Sequence, residues 1–245
     1  MSVLTVIDIR DIYTSRPPYN GDFLGLAYNP DADVLYLSRG HSPNGGFIHT
    51  IDMDVKVLNE WDFEQAYRSG FHPQQLTYDS TSGHLFVAAC NMDIAQNLEN
   101  IVEMSPDGTT IFSEFASPIG IFSGMHVRAD GVWLAQFRND KIYHCDLSGS
   151  ILSSFSVSGS FARYPGPSAL TSSFTGGFFI VDHFQVSNKP PRIVEVNIAG
   201  TEVATVSTAD LGDGRGMAID VDLAGKRIFL LVNNEEIYVL SSDFI

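Results

Sequence analysis

Short apolar runs recur along this chain at a nearly constant interval, each one following a weaker strand and a tight polar turn. The stretch Gln75 to Cys90, QLTYDSTSGHLFVAAC, is the most regular copy: a short strand, a turn rich in Asp, Ser and Gly, and a second strand dense in large apolar residues. The first strand of each unit, strand A, is marked by Leu26, Leu76, Met125, Leu170 and Met217, at spacings of 50, 49, 45 and 47 residues. Strand B follows as VLYLS from Val34, HLFVA from His84, VWLA from Val132, FFIV from Phe178 and IFLLV from Ile228. β-Branched and aromatic runs bounded by turn formers predict strands. Strand C starts at Phe47, Ile101, Ile142, Ile193 and Ile237. Turns such as PDG and LSG then lead into a strand D that alternates apolar with polar residues, the mark of a strand with one exposed face.

A four-stranded antiparallel unit repeating about every 48 residues predicts a β-propeller, because one meander cannot bury its own strand B and neighbouring blades can. The fifth unit ends just past strand C, whereas the alternating strand VLTVIDI (Val3 to Ile9) precedes the first unit. The prediction is therefore an all-β, five-bladed β-propeller of four-stranded antiparallel blades, closed by the N-terminal strand completing the C-terminal blade. One domain is expected over residues 1–245, with blades at about 22–66, 74–116, 123–158, 168–208 and 215–245 plus the closing strand 3–9.

Composition narrows this. Asp outnumbers Glu by 20 to 9, and Asp bonds its own backbone in turns, so the excess fits a chain with many tight connections. A formal net charge of −15 with only four Lys argues against nucleic acid and against an anionic membrane, both of which need clustered basic groups. No apolar run reaches the ~20 residues of a membrane span, and no basic segment with a cleavage site marks a signal peptide. The expected location is cytoplasmic or within an assembled particle. Cys90 and Cys145 fall in different units and form no CxxC, which predicts two small buried hydrophobes.

In a propeller the D-to-A and B-to-C connections share one face. Here they are the long and varied ones, including Arg39 to Gly46, Cys90 to Asn100 and Asp182 to Arg192. Varied loops on a rigid scaffold are where binding resides, so the site is expected on this face. His41, His72, His126 and His183 are grouped there, with Asn91 inside the second loop, whereas His49, His84 and His144 read as structural. Imidazoles beside Asp182, Asp93 or Asp22 have zinc-ligand chemistry, but no HxH or HxxxH spacing is present and the expectation is no metal and no cofactor. Tyr19, Phe71, Phe122, Tyr164 and Leu211 occupy the D-to-A connections, as ligand platforms or as plugs between blades; recurrence in every unit favours plugs. Residues that break the repeat are better ligand candidates: Arg39, Arg138, Asp182 and Asn233 near the B-strand ends, and Arg215 in GDGRG. That Gly-rich segment precedes no helix pattern, so it offers no phosphate site of the helix-terminus kind. No GxSxG or paired-carboxylate arrangement is found.

The blade sentence HPQQLTYDSTSGHLFVA resembles the P-x-G-L-x-Y-D-x-x-x-G-x-L-Y-V-A pattern of NHL-type propellers and their lactonase-like relatives, over all five units. The resemblance implies a propeller fold. In gluconolactonase-like members it further implies a channel metal held by acidic and Asn side chains, but the matching positions here are Asp22, Gln75, Ser123, Ser168 and Arg215, one acid and one cation. The function expected is a non-enzymatic recognition or scaffolding module that binds a protein surface or a glycan through its loop face, compatible with a subunit of a larger assembly such as a virion. The alternative is a small-molecule hydrolase or lyase with a His/Asp or metal site at the channel mouth, His126 and Asp182 being its candidates.

Overall fold

The strands form where β-branched and aromatic runs meet Asp- and Gly-rich turns. The computed structural model describes residues 2–14, 23–40, 46–91, 98–136, 139–157, 169–182, 191–211, 216–233 and 235–242. Strand β1 (Val3–Asp8) and one helical turn, α1 (Arg10–Thr14), precede the first blade. Blade one holds β2 (Phe23–Asn29), β3 (Val34–Arg39), β4 (Phe47–Asp52) and β5 (Val57–Asp62), followed by the short helix α2 (Phe63–Ala66). Blade two holds β6 (His72–Asp79), β7 (His84–Asn91), β8 (Leu98–Met104) and β9 (Ile111–Ala116). In blade three are β10 (Phe122–Arg128), β11 (Gly131–Gln136), β12 (Lys141–Cys145) and β13 (Ile151–Ser156). Blade four comprises β14 (Ala169–Ser172), β15 (Phe178–Asp182), β16 (Arg192–Val196) and β17 (Glu202–Ser207). Blade five comprises β18 (Gly216–Asp222), β19 (Arg227–Val232) and β20 (Glu236–Ser241).

Each sheet is antiparallel in chain order, and β1 is the fourth strand of blade five, pairing with β20 from Val3↔Leu240 to Asp8↔Glu236. The innermost strands touch in turn, β2 to β6, β6 to β10, β10 to β14, β14 to β18 and β18 back to β2, which closes a five-bladed propeller. The expected ring and its closure by the N-terminal strand are both present.

The core is a set of five seams, one between each pair of blades. Leu26, Leu35 and Leu37 of blade one pack on Ile7, Phe229, Leu231 and Ile237 of blade five. Corresponding apolar clusters join blades one and two, two and three, three and four, and four and five. Both faces of a central strand are thus covered, which explains why the B strands read as continuous apolar runs. The plug reading holds for the described connections: Phe71, Phe122 and Leu211 are all buried, each inside a seam cluster. Tyr19 and Tyr164 lie outside the described residues. Both cysteines are free and buried, and burial pushes their thiols up, Cys90 to about 12 and Cys145 to about 11.

Two glycines mark where backbone must come close or turn sharply. A Cβ on Gly25 would sit 2.1 Å from the Gln74 carbonyl oxygen, so the inner strands of blades one and two touch without room for a side chain. Gly83, at φ +75, closes the turn between β6 and β7 by donating its N–H to the Asp79 carbonyl at 2.8 Å.

Two sequence expectations need correction. The loop placed from Cys90 to Asn100 is shorter, because β7 and β8 keep pairing out to Asn91↔Leu98. Met217 is also not the counterpart of Leu26. Leu26 pairs with Leu37, Leu76 with Val87, Met125 with Leu134 and Leu170 with Ile180, and in blade five the equivalent pair is Ile219↔Leu230. The register irregularity between Gly216 and Ala218 recurs at Phe23/Gly25 and Phe122/Gly124, so Met217 is the counterpart of Leu24 and Ser123.

Candidate functional site

With the registers fixed, one residue from each inner strand falls on the same rung: Ala27, Thr77, His126, Thr171 and Asp220. Four of them are joined. Thr171 Oγ1 donates to Asp220 Oδ1 at 2.8 Å, and its oxygen lies 3.5 Å from His126 Nδ1. Thr77 Oγ1 lies 3.4 Å from the same nitrogen. His126 Nε2 is 2.8 Å from the hydroxyl of Ser172, one residue further along β14. Since the Thr171 hydroxyl proton is committed to Asp220, Thr171 offers the imidazole a lone pair. That favours the proton on Nδ1 and leaves Nε2 to accept from Ser172.

Asp220 is 6% exposed and also accepts the backbone N–H groups of Tyr28 and Val221, each at 2.8 Å. It therefore ties together the inner strands of blades four, five and one. Desolvation outweighs these donors and raises its carboxyl to about 6. His126 moves the other way: desolvation first, then the nearby Arg128 charge, lower it to about 3, so the imidazole is neutral around pH 7. Arg128 crosses from blade three to blade four, donating Nε to Ser172 Oγ at 3.0 Å, Nη1 to the Gly176 carbonyl at 3.1 Å and Nη2 to the Gly177 carbonyl. Its guanidinium stacks 3.9 Å from the Phe178 ring centroid.

These groups sit beneath a cavity of about 370 Å³ lined by His126, Arg128, Ser172 and Asp220, with Tyr28, Tyr78, Asp79 and Asp222 on its walls. Pro30, Ser80, Ala129 and Leu223 place its mouth among the A-to-B turns, the end of the ring opposite the D-to-A and B-to-C loops. Asp222 is held by Arg227, whose Nε lies 2.9 Å from Oδ2, and Asp79 accepts from Thr81 and Ser82.

Of the sequence candidates among the described residues, His126 alone lies on this cavity, at the opposite end of the ring from the loops with which it was grouped. Arg39, Asn91 and Asp182 are the buried last residues of β3, β7 and β15. Asp182 pairs across the sheet with Arg192, Nε to Oδ2 at 2.9 Å. His72 Nδ1 is 3.5 Å from Glu64 Oε1. Asn233 takes the left-handed conformation at φ 53, which Asn tolerates, and its Oδ1 is buried without a hydrogen-bond partner among the described residues. His41, Arg138, His183 and Arg215 lie outside the described residues, as do Asp22, Asp93, Ser168, Phe137 and Phe184. The three structural histidines match their reading: His49 beside Glu60, His84 bonded to Glu103 and stacked on Phe112, and His144 stacked on Trp133. Among the described residues no group of three His, Cys, Asp or Glu could hold a metal ion, and no helix is long and apolar enough to cross a membrane.

A second buried acid stands apart from the cavity. Glu99 is 3% exposed, and burial raises its carboxyl to about 8 against the opposing hydrogen bond from the Phe122 N–H. Because the folded state holds the proton more tightly than the unfolded chain, the stability linked to this group is full below about pH 4.5 and is lost as pH rises through about 8. Glu99→Gln keeps an acceptor for Phe122 and removes the ionisation. At pH 9 the variant should be about 2–4 kcal/mol more stable than the parent, with the gap closing by pH 5, in urea titrations at both pH values. A gap of the same size at pH 5 would contradict the assignment.

No protein-family model and no curated protein matches this sequence. Solved structures do match in shape. Glutaminyl cyclase of Myxococcus xanthus is 11% identical with a TM-score of 0.66, covering 98% of this chain and 95% of its own. The luciferin-regenerating enzyme is 13% identical with a TM-score of 0.56, covering 97% and 95%. A protein of unknown function from Bacteroides caccae is 15% identical with a TM-score of 0.56, covering 86% and 70%. At these identities the likeness is one of fold, and at that level the propeller expected from the blade sentence is present.

Proposed function

We propose that this chain is a small-molecule hydrolase working at the A-to-B end of the channel, with Ser172 as the attacking group. The observation that carries this reading is the directional hydrogen-bond chain Ser172–His126–Thr171–Asp220 beneath an open cavity. In the reaction the Ser172 proton passes to His126 Nε2, the Nδ1 proton to Thr171 Oγ1 and the Thr171 proton to Asp220, while Ser172 Oγ bonds to an acyl carbon. Reversal of the relay protonates the departing alkoxide, and water then releases the acyl group by the same route. Arg128 Nε already donates to Ser172 Oγ and stabilises negative charge there. An imidazole near 3 is a poor proton store, so the terminal acceptor is Asp220, whose carboxyl near 6 suits work around neutrality. Two fold neighbours bear the names of enzymes, which adds support by fold analogy only. The test is covalent labelling: a fluorophosphonate ester should phosphonylate Ser172 with loss of fluoride, adding the mass of one probe less HF to the peptide bearing Ser172 and nothing in Ser172→Ala. No labelling at this serine over a range of probe sizes would remove the reading.

The recognition reading draws on a different observation. Leu4, Leu58, Phe112, Leu152 and Val203, on the outer strands of all five blades, are about half exposed. An apolar perimeter of this kind suits a protein partner or a larger assembly. The varied loops expected to take a protein or glycan, residues 41–45, 92–97 and 183–190, lie outside the described residues.

A further inference from the structure

The cavity has a polarity that the acyl chemistry does not use. Its half built by blades five, one and two carries the carboxylates of Asp222 and Asp79 and the rings of Tyr28 and Tyr78, and its other half carries Arg128 and Ser172. The two carboxylates differ. Asp222 is neutralised by Arg227, which also reaches Asp33 at 3.3 Å. Among the described residues Asp79 accepts from neutral donors, the Thr81 and Ser82 N–H groups and the Ser82 hydroxyl. Burial opposes its charge, but those donors outweigh it and hold the carboxyl below its ordinary range. Its field reaches the cavity floor, where it acts on His126 against the effect of Arg128. Exposed Asp31 and Asp33 in the turn between β2 and β3 extend the acidic half outward, with Lys226 and Arg227 as the opposing cations on the blade-five side. A carboxylate in a cavity wall with no cation partner among the described residues is a receptor for a positive charge.

We infer that the substrates of this site carry a cationic amine, seated on Asp79 in the half of the cavity that Tyr28 and Tyr78 help to line, while their acyl carbon lies at Ser172 across the cavity. The chemical class is an aminoacyl ester or an amino-substituted lactone. This deepens the hydrolase reading and rests on it for the position of the acyl carbon, but the cation preference has its own readout.

Three unreactive amides of one carbon skeleton, ending in an ammonium, a hydroxyl or a carboxylate, would be titrated calorimetrically into the full chain at low ionic strength. The ammonium member should bind about tenfold more tightly than the hydroxyl member and the carboxylate member more weakly still, the gap narrowing as salt screens it. Asp79→Asn keeps the acceptor for Thr81, gives up the one for Ser82, and should reduce the ammonium-to-hydroxyl ratio to within about twofold; the unfolding transition of the variant checks that it is folded. Equal binding of the three, preference for the carboxylate, no binding by any, or an unchanged ratio in Asp79→Asn would each overturn the inference. Serine labelling without charge preference would overturn this inference and leave the hydrolase reading standing. Charge preference without serine labelling would overturn the hydrolase reading and leave the cation seat on Asp79 standing without its acyl half.

Discussion

Removing residues 1–13 should abolish cooperative folding at ordinary temperature. This segment contributes β1, whose backbone pairs with β20 over its length, and the Ser2 carbonyl accepts from the Ser241 N–H. Three of its side chains, Ile7, Ile9 and Ile12, are 4%, 0% and 6% exposed within the seam between blades five and one. At about 1.5–3 kcal/mol for each buried aliphatic side chain, these alone contribute roughly 5–9 kcal/mol. The net stability of a domain is about 5–15 kcal/mol, so the loss is comparable to the whole. The deletion also leaves β20 as an unpaired edge with apolar neighbours, a template for aggregation. Urea titration followed by circular dichroism should give a broad transition at far lower denaturant, with the truncated chain aggregating on concentration. A soluble truncation with near-native melting would show that the ring does not depend on this closure.

The fold was legible because each blade writes the same physical instruction. A strand buried on both faces demands a continuous apolar run, a turn demands Asp or Gly, and an outer strand alternates; five copies of that instruction leave one arrangement that buries all of them. Phe71, Phe122 and Leu211 could be read as plugs for the same reason. The cavity was harder to see because its polar groups come from A strands of different blades and become neighbours only across the ring. Their link is a shared rung, and a rung exists only once the register of every blade is known. Anchoring blade five on Met217 placed Ala218 in line with His126 and Thr171, whereas the ladder puts Asp220 there. A shift of two residues therefore hid the carboxylate that ends the relay. A usable signal was present: the position after the marker residue is Ala or Thr in four units and His in the third blade, so His126 breaks the repeat inside a strand rather than in a loop. Loop length drew attention to the opposite end of the ring, and the turns around the cavity are short because the strands themselves supply its chemistry.

The relay makes a prediction about rate that a merely structural network would not. The attacking form requires Asp220 ionised, so kcat/KM for an ester substrate should be high above pH 6 and fall about tenfold per pH unit below it, as the carboxyl near 6 takes its proton. His126, held near 3, should add no inflection between pH 5 and 8. Ser172→Ala should lower kcat/KM by about 10³–10⁴, the range for loss of a positioned nucleophile with its base. Thr171→Val is the sharper variant. It nearly conserves shape, leaves His126 and Asp220 in place and removes the one hydroxyl between them. Loss of proton transfer through that hydroxyl should cost about 10²–10³ in kcat with little change in KM. Because Asp220 also loses a donor that stabilises its ionised form, any residual activity should titrate above 6 rather than at it. If Thr171 served only to hold the inner strands of blades four and five together, its loss would lower the melting temperature and leave the pH profile where it was. A Ser172→Ala variant with full activity, or a rate in the parent protein independent of pH between 4 and 8, would place the chemistry elsewhere in the ring.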